Sequence, residues 1–120
     1  MRNSQKDFYK KLLGRKGEDL VSNHLKKLGF KVLEKNYRCP FGEADIIVKS
    51  KTGEIVFVEV KTRSTTVFGT PAEAVDYKKQ SKYRDIANFY INSKGLEDIA
   101  VSFTVAEVLG EEINLISEAF

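Results

Sequence analysis

The sequence predicts an α/β domain in which a central, mixed five-stranded sheet is flanked by helices, in the order α-β-β-β-α-β-β. Residues 7–28 are predicted to form the first helix, because apolar and small side chains recur there at helical spacing and Gly29, a typical helix stop, follows. Two segments rich in Ile, Val and Phe, Ala44–Lys49 and Glu54–Lys61, flank the connector Lys51–Gly53, which indicates a hairpin. A predicted helix separates the third strand from the fourth, and such a helix can form the crossover between parallel strands.

Local signals predict the other elements. A first strand is expected over Phe30–Tyr37, followed by a loop over Cys39–Gly42. The second helix is expected to start at the capping-box pattern Thr70–Glu73, to be broken near Asp76 and to continue to about Asn92. The sequence therefore places one helix before the first strand and one between the third and fourth strands.

Two more strands, Ile99–Leu109 and Ile113–Ser117, are expected to meet at the turn Gly110-Glu111. The strands of the central hairpin are apolar on both faces, which indicates that both sides of the sheet are covered. A chain of 120 residues is long enough for one domain with one modest core, and we expect residues 1–6 to form a flexible N-terminus.

Composition predicts a cytoplasmic protein that does not associate with membranes. Cys39 is the single cysteine, which fits a reducing compartment. The first residues are followed by charged sequence rather than by an apolar run, and the apolar runs are far shorter than a membrane span.

The charge distribution favours an anionic partner at one end of the chain. Residues 1–40 hold 11 Lys and Arg against 4 Asp and Glu, whereas residues 95–120 hold 6 Asp and Glu and no Lys or Arg. A positive surface of this kind suits a phosphate backbone, although solvated lysines on the outer faces of helices give the same composition.

The most informative residues are charges within the apolar strands. Glu59 and Lys61 are two residues apart, so their side chains lie on the same face of the third strand. If Lys51–Gly53 is the hairpin loop, Asp45 lies directly opposite Glu59, with Cβ atoms about 5 Å apart. Two carboxylates at that distance repel each other unless a cation or a proton lies between them.

This arrangement predicts a metal centre built on Asp45 and Glu59 that binds Mg²⁺ or Mn²⁺, because hard cations need few protein carboxylates. Glu18 is a further candidate, since it lies in the otherwise buried stripe of the first helix, where a carboxylate is costly unless something binds it. Glu43 is a weaker candidate on the same face as Asp45. Alternatively, Glu18 turns to solvent and the strand charges form a structural ion pair.

Other catalytic groups are not indicated. The one histidine, His24, fits a partly buried helix residue better than a ligand, and Cys39 fits a passive loop thiol. The sequence shows no Ser-His-Asp or Cys-His set and no Gly-rich phosphate loop. We therefore expect phosphodiester hydrolysis, in which Lys61 orients or deprotonates a water activated by the metal, or stabilises the developing charge.

The pattern of Asp45 followed after a hairpin by Glu59-Val60-Lys61 resembles the PD-(D/E)xK nuclease signature, although the proline of that signature is missing. Short motifs over about residues 14–120 resemble the bacterial YraN family. They are Gly14-Arg15-Lys16-Gly17-Glu18, Gly29-Phe30, Asn36-Tyr37-Arg38, Gly42-Glu43-Ala44-Asp45-Ile46-Ile47, Val56-Phe57-Val58-Glu59-Val60-Lys61-Thr62-Arg63, Gly69, Glu73-Ala74-Val75, Lys79-Gln80 and Ala119-Phe120.

That family is similar to archaeal Holliday junction resolvases. The resemblance implies a restriction-endonuclease-like, three-layer fold, metal ligands at Glu18, Asp45 and Glu59, and Lys61 as the catalytic lysine. The side chains expected to contact nucleic acid are Arg15, Lys16, Arg38, Arg63, Lys79 and Gln80, the last two at the border of the site. The chain departs from many relatives at Ser102-Phe103-Thr104, where they have Arg-Phe-Asp.

The favoured function is a metal-dependent endonuclease acting on DNA, including branched forms such as junctions. Because resolvases act as dimers, the resemblance also implies a homodimer. Two alternatives remain: a non-catalytic nucleic-acid-binding or scaffold protein that retains the nuclease fold, and a nuclease that acts on RNA.

Overall fold

The computed structural model describes the backbone of residues 3–63, 76–117 and 119–120, and the side chains of these ranges from Arg15 onward. Two helices and five strands follow one another in the predicted order. They are α1 (Asn3–Lys27), β1 (Lys31–Cys39), β2 (Gly42–Lys49), β3 (Ile55–Thr62), α2 (Tyr77–Ser93), β4 (Val101–Leu109) and β5 (Glu112–Ile116). The predicted order of elements is confirmed, and the predicted flexible N-terminus lies partly outside the described residues.

A single mixed sheet organises the chain, with its strands in the spatial order β1-β2-β3-β4-β5. Neighbouring strands are antiparallel except for β3 and β4, which are parallel. A parallel pair of consecutive strands needs a crossover connection, and α2 lies within that connection. β3 is therefore the central strand, and it is flanked by β2 on one side and β4 on the other.

The two faces of the sheet are covered by different helices, as the apolar hairpin predicted. Val21 and Leu25 of α1 pack on one face, which we call the α1 face, against Val56 and Val58 of β3. Tyr83 and other residues of α2 pack on the opposite face, the α2 face. The buried residues there are Ala44, Ile47, Ile55, Phe57, Tyr83, Ile86, Ala87, Tyr90 and Phe103.

The start of α2 shows why the sequence indicated a break. The side chain of Asp76 caps the helix and accepts a hydrogen bond of 2.8 Å from the N–H of Lys79. The predicted capping box at 70–73 lies outside the described residues. The helix ends at Ser93, close to the predicted end, and Gly95 follows with a positive φ of 66°.

The first hairpin is tighter than predicted. Cys39 pairs with Gly42 in the β1–β2 ladder, so the expected loop is a two-residue turn at Pro40 and Phe41. Gly42 adopts a φ of 140°, a conformation that residues with a Cβ atom rarely take. Of the helices described, none is long and apolar enough to cross a membrane.

Helix α1 lies close to β3 at Gly17. A Cβ atom at this position would lie 2.7 Å from the Thr62 side-chain oxygen, with Val60 and Val108 behind it. An added Cβ atom at this position would therefore force Thr62 or the helix to shift, and Glu18 is the next residue along α1.

We predict that Gly17→Ala lowers the free energy of unfolding by roughly 1–3 kcal/mol, because the added methyl group overlaps Thr62. Urea denaturation measures the change. In a Thr62→Ala background the same substitution should be neutral or stabilise by up to about 1 kcal/mol, since alanine is the better helix former. An equal loss of stability in both backgrounds would contradict this account of Gly17.

Candidate functional site

The central hairpin has the predicted register. Ile46 pairs with Val58 and Lys49 with Ile55, which is the register that directs Asp45 toward Glu59. The ladder between β2 and β3 ends at Ile46 and Val58, although both strands continue. We call the region just beyond this last pair, formed by Asp45, Glu59 and Val60, the strand fork.

At the strand fork, side chains replace the backbone partners. The Asp45 carboxylate oxygen Oδ2 accepts a hydrogen bond of 2.8 Å from the N–H of Val60. From the α2 face, the hydroxyl oxygen of Tyr83 is hydrogen-bonded by the backbone N–H of Asp45. The backbone N–H groups of Asp45 and Val60 thereby have hydrogen-bond partners although the β2–β3 ladder has ended.

The two oxygens of Glu59 have different partners. The Tyr83 hydroxyl donates to Oε2, whereas the Lys79 ammonium forms an ion pair with Oε1. Tyr83 is buried, and the Glu59 side chain is only 13% exposed, but the Lys79 side chain is 47% exposed. One oxygen is therefore held from the core and the other from the surface.

The site is electrostatically unfavourable for Asp45 in its ionised form. Burial is the main cause, and the negative charge of Glu59 adds to it, so the pKa of Asp45 is raised from 3.8 to about 7. The hydrogen bond from Val60 and the positive charge of Lys79 act in the opposite direction. Asp45 thus lies close to its titration midpoint at neutral pH, and a nearby cation would favour the carboxylate.

Tyr83 remains protonated at neutral pH. Burial raises its pKa, and the charges of Glu59 and Asp45 raise it further. A neutral hydroxyl in this place donates to the Glu59 carboxylate while it accepts from the Asp45 backbone. Tyr83 therefore connects β2, β3 and α2 through one oxygen atom.

Glu18 approaches the strand fork from α1. It is half-buried, and burial raises the pKa of its carboxyl, whereas a hydrogen bond with the Asn36 side chain and the charge of Lys35 lower it. The negative charge of Glu18 in turn contributes to the raised pKa of Asp45. The carboxylate of Glu18 is thus close enough to Asp45 to affect its pKa, while the hydrogen-bond partner of Glu18, Asn36, lies on β1.

Within the part of the chain that the structure describes, no group of three or more His, Cys, Asp or Glu side chains is close enough to hold a metal ion. The predicted ligands Glu18, Asp45 and Glu59 are neighbours but not a preassembled coordination shell. Their chemistry nevertheless fits a hard divalent cation. All three are oxygen donors, and Asp45 and Glu59 repel each other in the absence of added positive charge.

Lys61 lies two residues beyond Glu59 and is half-buried. By strand alternation its side chain leaves β3 on the α2 face, and in the parallel ladder it is in register with Glu107 of β4. Glu107 is fully buried and accepts a hydrogen bond of 2.7 Å from Nε of Arg63, whose side chain is 18% exposed. A buried group of charges thus borders the strand fork on its β4 side.

The side chains predicted to contact nucleic acid occupy different environments. Arg15 and Lys16 are exposed on α1, and Arg38 is exposed and paired with Glu43 at 2.5 Å. Lys79 lies at the strand fork with Gln80, half-buried, beside it on α2, whereas Arg63 is mostly buried. Their contacts with nucleic acid stay predictions.

Ser102 and Thr104, where the chain departs from many relatives, lie outside the strand fork. Ser102 donates a hydrogen bond of 2.7 Å to Glu54, at the end of β3 opposite to Glu59. Thr104 is buried and in register with Val58. Both residues therefore lie in β4 away from the contacts of Asp45 and Glu59.

Sequence reasoning missed Tyr83 and Glu107 as members of this region. Glu107 interrupts the apolar run Val105–Val108, which is the same signal that singled out Glu59. Tyr83 carried no comparable signal, because it is one of several aromatic residues along α2. Only the packing of α2 on the sheet brings its hydroxyl to Glu59.

These observations define an α/β protein with an acidic strand fork at the centre of a mixed sheet. The model of the uncharacterised protein family UPF0102 matches residues 17–116, and the chain belongs to this family. The finding confirms the YraN-like resemblance of the sequence motifs.

Related proteins of the same family support the assignment. A UPF0102 protein of Caldanaerobacter subterraneus is 46% identical over 103 residues, which cover 86% of this chain and 84% of that protein. A UPF0102 protein of Clostridioides difficile is 46% identical over 106 residues, covering 87% of this chain and 92% of that protein.

A structural similarity extends beyond the family. Pyrococcus furiosus SfsA, solved in complex with Ca²⁺, aligns over 90% of this chain and 62% of its own chain with a TM-score of 0.32 and 10% identity. The similarity is distant.

The raised pKa of Asp45 predicts a specific pH dependence of stability. A carboxyl group whose pKa is higher in the folded state stabilises the fold fully below pH 3.8, and this contribution is lost as the pH rises to about 7. Relative to Asp45→Asn, the wild type should therefore lose up to about 1.4 kcal/mol of unfolding free energy per pH unit in this window. Denaturant unfolding at several pH values measures the difference, and parallel pH curves for the two proteins would contradict it.

Proposed function

We propose that this protein is a metal-dependent nuclease of the PD-(D/E)xK superfamily that hydrolyses phosphodiester bonds of DNA. The observation that supports the proposal most directly is the pair of carboxylates at the strand fork. Asp45 and Glu59 converge there, and the pKa of Asp45 is raised to about 7 by burial and by Glu59. Perturbed carboxyl groups of this kind cluster at functional sites.

Glu18, Asp45 and Glu59 are the proposed ligands of Mg²⁺ or Mn²⁺. When bound, such an ion supplies positive charge that neutralises a phosphate oxygen and lowers the pKa of a water molecule. Asp45 of β2 and Glu59 of β3 would hold the ion, together with Glu18 of α1. The Val60 N–H keeps the Asp45 carboxylate directed into the strand fork.

Lys61 is the proposed catalytic lysine. It follows Glu59 by two residues on the same face of β3, where its amine orients or deprotonates the attacking water or stabilises the negative charge of the transition state. The proposed contacts to the DNA backbone come from exposed basic residues of α1 and β1, Arg15, Lys16 and Arg38, and from Lys79 and Gln80 of α2. Arg63 remains a candidate contact.

Branched DNA is the proposed substrate class, by analogy with the junction resolvases that the sequence motifs resemble. We propose a homodimer on the same basis, and a cytoplasmic location because the single cysteine, Cys39, fits a reducing compartment. The alternative of a non-catalytic nucleic-acid-binding or scaffold protein is favoured by one observation: both oxygens of Glu59 already have protein partners, Tyr83 and Lys79.

A cleavage panel distinguishes these functions. With Mg²⁺ or Mn²⁺ the wild type is expected to cleave at least one member of a set of duplex, single-stranded, flap and four-way-junction DNA, with matching RNA included. Asp45→Asn, Glu59→Gln and Lys61→Met should each reduce the rate by at least about a hundredfold, because each removes a charge needed in the transition state.

Glu54→Gln is the matched control, because Glu54 lies at the other end of β3 and pairs with Ser102. It should leave cleavage unchanged. Cleavage that is insensitive to all three site substitutions would point to a contaminating enzyme. Binding without cleavage in every metal would favour the scaffold function, and cleavage of RNA alone would replace the DNA proposal.

A further inference from the structure

The two oxygens of Glu59 are held by groups of different character on the same helix. Tyr83 is a buried, neutral donor that contacts Oε2 and is itself fixed by the Asp45 backbone N–H. Lys79 is a half-exposed cation that contacts Oε1, one helical turn before Tyr83.

We propose that Tyr83 and Lys79 have opposite effects on metal binding by Glu59. Tyr83 is a positioning residue that fixes Oε2. Lys79 occupies Oε1 when no divalent cation is bound, and the cation must displace it. The inference rests on the proposed metal site. It adds to that site one residue that promotes metal binding and one that competes with it.

The argument for Tyr83 is geometric. A carboxylate that binds a metal through one oxygen is oriented by a hydrogen bond to the other, and such outer partners affect metal affinity strongly. Tyr83 is buried, and its hydroxyl joins Glu59 to the backbone of Asp45. It therefore holds the two proposed ligand residues at a fixed separation.

The argument for Lys79 is electrostatic. Its ammonium places a positive charge against Oε1, where a bound cation would also place one. The side chain is long and 47% exposed, so it can move into solvent at little cost. A divalent cation that binds Oε1 must displace it, and the two cations compete for one oxygen.

The structure also supplies matched controls for both residues. Lys78 is exposed on the same helix turn and, among the described residues, forms no ion pair with the strand fork, so Lys78→Met removes an equal charge from nearly the same place. Tyr90 is buried on the same helix two turns further on, where it packs on Phe57 and Tyr37. Tyr90→Phe therefore removes a tyrosine hydroxyl from the same helix, away from the strand fork.

The test is the affinity of the full chain for Mn²⁺ alone, without nucleic acid, measured from the free-ion electron paramagnetic resonance signal. Tyr83→Phe should weaken Mn²⁺ binding by about tenfold or more. Lys79→Met should tighten it by about threefold to fivefold, as expected for the loss of a partly exposed ion pair. Tyr90→Phe should leave the affinity unchanged, and Lys78→Met should tighten it by less than Lys79→Met.

Opposite changes for Tyr83→Phe and Lys79→Met would support the inference, since a general loss of stability cannot tighten metal binding. An unchanged or weakened affinity in Lys79→Met would overturn it, even if Tyr83→Phe failed to fold. Mn²⁺ binding that depends on Asp45 but responds to neither helix residue would overturn this inference and leave the metal site standing. The absence of Mn²⁺ binding in the wild type would overturn both.

Discussion

The end of the β2–β3 ladder is the constraint on which the candidate site depends. Beyond Ile46 and Val58 the strands no longer exchange backbone hydrogen bonds, and the Asp45 carboxylate accepts the N–H of Val60 instead. This substitution of a side chain for a backbone partner holds the Asp45 carboxylate beside β3, close enough to Glu59 for the charge of Glu59 to raise the pKa of Asp45.

The helices complete the arrangement from opposite faces of the sheet. On the α1 face, the contact of Gly17 with β3 sets the approach of Glu18, and on the α2 face the Asp76 cap sets the first turn of the helix that carries Lys79 and Tyr83. The carboxylates of Asp45 and Glu59 and the ammonium of Lys79 therefore lie close together. As a result, Glu59 raises the pKa of Asp45 and Lys79 lowers it.

The sequence was sufficient for the fold and for the register of the central hairpin, because strand periodicity and a short turn leave few alternatives. It was also sufficient to single out Asp45 and Glu59, since charges inside apolar strands are expensive. It could not show that Asp45 bonds to the Val60 N–H, or that Tyr83 and Lys79 hold Glu59. Those contacts join segments far apart in the chain, and they depend on how α2 lies across the sheet.

The parallel pairing of β3 with β4 affects how the chain folds. The antiparallel strands β1, β2 and β3 are joined by short turns, whereas β4 can pair only after the long segment that contains α2 has crossed the sheet. Closing such a long loop has an entropic cost that must be met before its contacts form, which slows folding. Asp45 and Glu59 thus belong to neighbouring strands of a local hairpin, whereas Tyr83 and Lys79, which contact Glu59, lie in the crossover segment that the non-local β3–β4 pairing requires.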